Sequence, residues 1–218
     1  MQGQLDFTAE TRAYPPDDLP LLTAQLRLPR WDGTGGRRFD LYYAAYARAF
    51  FSYCQSALLP QAQAALALAR QNGGALPEWQ VALDSTVTLQ QDGLLSLYTD
   101  TTERGGGRRL MLRRSETWDL SDGSLVPLTR FFPTGARWRH TLLKTASEQI
   151  RQQEAQGNAL FYPDWQRRLR TAFSSDRFYL TEQRLCLYYQ MFAIAPAAEG
   201  IPVFSVPYDA DKGPFLPA

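Results

Sequence analysis

Histidine and cysteine, the residues most often recruited for metal ligation and nucleophilic chemistry, are almost missing. The 218-residue sequence has one histidine, His140, and two cysteines, Cys54 and Cys186. The cysteines lie far apart, with no C-x-x-C pair and no metal-type spacing. Two buried free thiols are the expected state, and a disulfide is the alternative that an oxidising compartment would favour. G-x-G-x-x-G, Walker-type, H-E-x-x-H and G-x-S-x-G motifs are missing too, which removes the common nucleotide, zinc and hydrolase routes. No cofactor and no metal are expected. Charge of one sign is also lacking: 23 Lys+Arg against 22 Asp+Glu leave a formal charge of +1. So small an excess creates no global field for nucleic acid or an anionic membrane, and any anion site must be local. No stretch approaches the roughly 18 apolar residues of a membrane span. The first ten residues carry no basic region followed by an apolar run, so the chain as written reads as soluble and untargeted.

What is present is a folded composition, 44% apolar, 21% charged and 13% aromatic. A chain of this length buries roughly 70% of its unfolded surface, enough for a core without staples. Residues 1–20, Pro- and Asp-rich around Tyr14–Pro20, read as an extended lead-in with little regular structure. Residues 21–76 form an N-terminal strand-and-helix part, 77–210 a C-terminal sheet-and-helix part packed with it as one globular unit, and 211–218 a tail. Nothing in the pattern demands a partner copy, and a monomer is the favoured state.

Alternation at Leu22, Ala24, Leu26 and Leu28 marks the first strand. Phe39, Tyr43, Tyr46, Phe50, Tyr53 and Ala57 recur at helical steps as an aromatic stripe, with a kink or break expected at Leu59–Pro60 and an end at Asn72-Gly73-Gly74. Trp79–Gln90 alternates as a strand, Asp92-Gly93 turns it into a second over 94–103, and the triple glycine 105–107 leads to a third over 108–120. Asp122-Gly123 turns the chain again into a short segment over 125–128. Arg137–Gln156 and Pro163–Phe173 read as helices, and strands follow at 177–180, 184–191 and 203–206 as the closing half of the same sheet. The fold class is α+β: an antiparallel meander sheet covered by a long aromatic-striped helix and two later helices.

Few residues suggest chemistry. His140 reads as a solvent-facing or capping side chain. Asp209-Ala-Asp211-Lys-Gly213 departs from a calcium loop, because its glycine comes one residue early and no glutamate closes it; a solvated turn is the reading. The pairs Glu116 with Asp119 and Asp100 with Glu103 sit among arginines and read as surface charge balance. The one local imbalance surrounds the triple glycine. Arg104, Gly106, Arg108, Arg109 and Arg113 are candidate ligand-binding residues for a phosphate or carboxylate, with a solvated face as the alternative.

The order Phe178-Tyr-Leu-Thr181, an apolar-aromatic strand, Ile194-Ala-Pro196 and Gly200-Ile-Pro202, preceded by Trp118-Asp-Leu and Leu128-Thr-Arg-Phe-Phe132 before a long helix, resembles a family of bacterial domains of unknown function. Such domains form the ectodomain of lysozyme-sensing anti-sigma factors and the accessory region of some peptidoglycan deacetylases. The resemblance spans roughly residues 20–208. Where the family often has a Gly-Gly-Ala-His-Gly loop this chain has Gly105-Gly-Gly-Arg108, and Phe192–Ile201 lacks two tyrosines and an acid of the family signature. The resemblance implies an extracytoplasmic setting and a non-catalytic binding or sensing module for a cell-wall glycan or a lysozyme-like protein. The alternatives are a glycan- or peptide-acting hydrolase whose carboxylate pair is assembled in the fold, and a cytoplasmic interaction protein.

Overall fold

A computed structural model of the chain describes residues 3–15, 20–74 and 78–216. Helices and strands both contribute, as the α+β class requires. They form two compact units. The first takes the residues up to Ser85 with Thr99–Met111 and Ser121–Gly123; the second takes Thr86–Tyr98, Leu112–Leu120 and the residues from Ser124 onward.

In the first unit β1 (Leu5–Tyr14) pairs antiparallel with β2 (Leu22–Trp31) over its whole length, from Leu5 opposite Trp31 to Tyr14 opposite Leu22. This corrects the reading of residues 1–20 as irregular; residues 16–19 of that stretch lie outside the described residues. β1 is an edge strand with mostly exposed side chains, so backbone pairing holds it and no apolar alternation announces it. A cation–π contact adds to the pairing, the Arg27 guanidinium 3.7 Å from the Phe7 ring, and a second, Arg12 3.7 Å from the ring of Phe51, ties β1 to the helix that follows β2.

From β2 the chain enters α1 (Gly36–Tyr53), a wider π-helical turn at Cys54–Leu58, and α2 (Leu59–Gln71). Phe39, Tyr43, Phe50, Cys54 and Leu58 are buried at mostly four-residue steps, and α1 packs on β2. Tyr53, expected in that stripe, falls beside it and is 40% exposed. Of the kink or break expected at Leu59–Pro60, the break does not occur: the helical run is continuous through a π-helical turn just before it. The Leu59 N–H donates to the Cys54 carbonyl five residues back, and the wider turn puts Pro60 in the first turn of α2, where a missing N–H leaves nothing unpaired.

The larger sheet has the order β1-β2-β3-β4-β5-β6, with β3 (Trp79–Gln91), β4 (Leu94–Gly105), β5 (Arg108–Asp119) and a two-residue β6 (Ser124–Leu125). β2 and β3 run parallel, Leu22 opposite Trp79 and Arg27 opposite Asp84. The expected meander follows in β3 to β6, which neighbour one another in chain order, and the parallel β2–β3 pair makes the sheet as a whole mixed. A strand–helix–strand connection returns the chain to the end it left, and only that return permits parallel neighbours. Of the seam read at residues 72–77, residues 75–77 lie outside the described residues.

The second unit holds α3 (Trp138–Ala155), α4 (Trp165–Thr171) and a separate three-stranded antiparallel sheet, β7 (Phe178–Leu180), β8 (Arg184–Tyr188) and β9 (Val203–Pro207). These strands therefore do not close the larger sheet, as the sequence suggested. Strand alternation divides β8 as expected. Leu185, Leu187 and Tyr189 join Leu142, Ala146 and Ile150 of α3 and Trp165 and Leu169 of α4 in the main core, while Cys186 and Tyr188 pack with Tyr179 on the other side. Each fully buried aliphatic side chain contributes about 1.5–3 kcal/mol. The Tyr189 hydroxyl donates to the Leu169 carbonyl at 2.8 Å, satisfying the one polar atom that the ring carries into the core.

Candidate functional site

Strand alternation sorts the first unit's sheet into two faces. Leu22, Ala24, Leu26, Val81 and Leu83 point inward and are buried. On the opposite face Thr23 and Gln25 of β2, Gln80, Ala82 and Asp84 of β3, Asp100, Thr102 and Arg104 of β4, and Arg109 of β5 line a groove of about 470 Å³. The parallel register sets Thr23 beside Gln80 and Gln25 beside Ala82, so amides and a hydroxyl stand in rows over a floor that Ala82 keeps low. One border is tied together by side-chain contacts. Arg27 Nη1 donates to Asp84 Oδ1 at 3.1 Å and to the Ser85 carbonyl at 2.9 Å, and its guanidinium stacks on Phe7. Arg104 and Arg109 make no ion pair among the described residues. Two carboxylates and two guanidiniums balance within the lining, so the groove is polar without net charge.

Of the five residues singled out around the triple glycine, Arg104 and Arg109 share this groove. Gly106 sits in the β4–β5 turn with φ 55°, followed by Gly107 at 73°, the left-handed backbone that a tight hairpin needs. Gly105 has a separate reason: a Cβ there would lie 2.3 Å from the Trp79 indole. Arg108 is exposed, one step along β5 from Arg109, and strand alternation turns it to the other face. Arg113 belongs to the second unit. Its guanidinium lies 3.7 Å from the Tyr98 ring centre and 5.8 Å from those of Tyr179 and Tyr188. The Gln190 side chain brackets its backbone, accepting from the Arg113 N–H at 3.0 Å and donating to the Arg113 carbonyl at 2.5 Å.

The carboxylate pairs read from sequence are separated by their spacing, because residues three apart on a strand face opposite ways. Asp100 lines the groove, whereas Glu103 lies on the buried side near Tyr53 and Cys54. Sequence reasoning missed Asp84 with Asp100, which the β3–β4 hairpin brings into one groove; their near-equal distances from the Asp92-Gly93 turn were the available signal. The Asp209 segment is a capped turn, its carboxylate accepting from the Asp211 and Lys212 N–H groups at 3.0 and 3.1 Å. Those backbone donors hold the Asp209 carboxyl below its ordinary pKa. No group of three metal-ligating side chains occurs among the described residues, and none of their helices is long and apolar enough to cross a membrane.

Both cysteines are free and buried. Burial, then the charge of Glu103, pushes the Cys54 thiol from 9.0 up to about 11, and the same two causes push Tyr53 up to about 12. A protonated, enclosed thiol is a poor nucleophile. It also makes stability depend on pH. Between 9.0 and about 11 the folded state keeps a proton that the unfolded chain loses, so the contribution is whole below pH 9.0 and disappears as pH rises to about 11. The urea midpoint is expected to fall across that window and to fall less steeply in Cys54→Ala. Equal slopes would remove Cys54 from the account.

Residues 129–209 match the family model described as "Protein of unknown function (DUF3298)". The DUF3298 match covers less than half of the chain, lies in the second unit and takes in α3, α4 and β7–β9. Similarity of fold extends further. The crystal structure of a DUF3298 family member from Bacteroides fragilis NCTC 9343 superposes with a TM-score of 0.66 at 15% identity, covering 95% of this chain and 90% of that one. A DUF3298 family protein from Pseudomonas aeruginosa PAO1 superposes with a TM-score of 0.59 at 16% identity, covering 95% and 91%. Identities this low speak for the fold alone. The search of curated proteins found no match.

Proposed function

We propose that the chain is a non-catalytic binding module that takes a cell-wall glycan along the groove of its first unit. The observation that carries this reading is the charge-balanced polar lining, in which Gln25, Gln80, Asp84, Asp100, Arg104 and Arg109 set planar hydrogen-bonding groups beside two threonine hydroxyls. Sugar hydroxyls donate and accept at once, and planar amide, carboxylate and guanidinium groups meet them in pairs without demanding an ion. The resemblance of the C-terminal signature to domains that accompany peptidoglycan deacetylases and lysozyme-sensing ectodomains supports a wall glycan over other hydroxylated ligands.

One observation favours a second reading. Asp84 and Asp100 in one groove are the kind of pair a glycan-acting hydrolase requires. Asp84, however, has a side chain 60% exposed and engaged by Arg27, far from the enclosed setting of a catalytic acid. Titrating soluble peptidoglycan fragments, and separately lysozyme, into the protein by calorimetry, with mass spectrometry of the same tubes, tests both readings. Saturable binding of fragments without a change in their mass is expected, weakened about tenfold, or about 1.4 kcal/mol, by Arg109→Ala or Gln25→Ala. Product formation that Asp100→Asn abolishes would establish the hydrolase. Binding of lysozyme alone would move the ligand from glycan to protein, and no binding up to millimolar concentration would sink the module.

A further inference from the structure

The second unit carries a groove whose lining is not charge-balanced but cationic. Arg137, Arg139 and His140, at the start of α3, and Arg170 of α4 line a shallow cavity of about 550 Å³ beside Trp138 and Leu143. No carboxylate takes part in the lining, and among the described residues none of the three arginines is in an ion pair. The neighbouring arginines of α4 show the contrast: Arg167 and Arg168 are both held by Asp164, the latter at 2.6 Å. The balanced composition of the whole chain, +1 in net charge, means that this concentration is local rather than an overflow.

We propose that this groove is a binding site for a phosphate group. Like charges brought to one rim repel each other, and an anion of matching charge removes that repulsion. The cations reach the rim from two helices, so they approach a ligand from several directions. A carboxylate offers two coplanar oxygens, whereas a phosphate presents three or four in a tetrahedron and serves several guanidiniums together. Packing holds Trp138 and Arg139 in place on this rim. The Trp138 ring packs 6.4 Å from Phe132 and 6.1 Å from Phe173, and Arg139 donates to the Arg170 carbonyl at 3.3 Å with its guanidinium 5.3 Å from the Phe173 ring. Trp138 and Leu143 give the groove an apolar wall, suited to the carbon skeleton of a phosphate ester.

His140 is the only histidine of the chain, so its ring resonances report on this site without ambiguity. Inorganic phosphate and glycerol phosphate are titrated in low salt while the His140 signals and the heat of binding are followed, with acetate as the carboxylate control. A saturable shift is expected for both phosphates, weakening steeply with added sodium chloride, and at least a tenfold weaker response to acetate. Tighter binding of glycerol phosphate than of inorganic phosphate would mark an ester as the ligand, and the reverse order the free ion; each outcome supports the site. Arg139→Gln with Arg170→Gln is expected to weaken binding at least tenfold, whereas Arg104→Gln with Arg109→Gln leaves it unchanged. If the first double variant does not fold, Arg170→Gln alone, at an exposed position, serves instead. A His140 shift that fails to saturate, follows acetate equally or survives loss of the arginines would overturn the proposal.

Discussion

Phe39→Ala is expected to destabilise the protein by about 3–5 kcal/mol, the cost of emptying an aromatic site in a core. Phe39 is fully buried in α1, its ring centre 4.7 Å from that of Tyr43, and α1 lies on the inward side chains of β2. Removing the ring leaves a cavity in a layer whose other members are themselves large rings, Tyr43, Phe50 and Phe51, which cannot slide in without leaving their rotamers. For a chain of this size each kcal/mol moves the melting midpoint by roughly 2–4 °C, so a fall of roughly 6–20 °C is expected. Leu41 lies two residues on and is 57% exposed; Leu41→Ala should stay within about 0.5 kcal/mol. Calorimetric melting of the two variants side by side decides the matter, and similar midpoints would mean that α1 does not carry the core described above.

Ser96→Ala is expected to cost about 2–3 kcal/mol although it deletes one oxygen, because of what that oxygen leaves behind. Ser96 Oγ accepts from the Leu180 N–H at 2.9 Å and shares a hydrogen bond with Thr117 Oγ1 at 3.0 Å. Ser96 and Leu180 are fully buried and Thr117 is 2% exposed, so neither partner can turn to water. The bond joins β4 to the first edge of the small sheet across 84 residues of sequence. Two readouts test it. The Leu180 amide should exchange with solvent faster in Ser96→Ala, and the double variant with Thr117→Val should be less destabilised than the sum of the single variants, since the second change removes a hydroxyl that has already lost its partner. Strict additivity would show that the two hydroxyls do not act together.

Features whose signal lies in neighbouring residues were legible in the sequence. Asp92-Gly93 announced its hairpin and occupies left-handed backbone at φ 50° and 80°. The α3 stripe of Leu142, Ala146 and Ile150 is buried as its spacing implied. What escaped depends on distant partners. β1 exists because β2 offers it hydrogen bonds, and an exposed edge strand has no buried face to impose a pattern on Phe7, Ala9 or Thr11. The small sheet was assigned to the larger one because strand propensity says nothing of which edge a strand will join. Both grooves are assembled by register and helix packing: Arg170 lies far along the chain from Arg137, as Asp100 does from Asp84, and no motif links either pair. The run Arg137-Trp-Arg-His140 was the one local hint, and it reads as an ordinary helix start without Arg170 beside it.

The Gln190 amide has a meaning for self-association. β6 pairs only with Trp118 and Asp119, so among the described residues no strand of the sheet covers the β5 edge away from β4 at Arg113. An uncovered strand edge invites another chain to add to it. Gln190 occupies the Arg113 N–H and carbonyl at once, as an incoming strand would, and the Ser115 hydroxyl adds a bond to the Asp176 carbonyl at 3.3 Å. A single side chain thus imitates a missing strand at this residue, taking up the backbone groups through which another chain would pair.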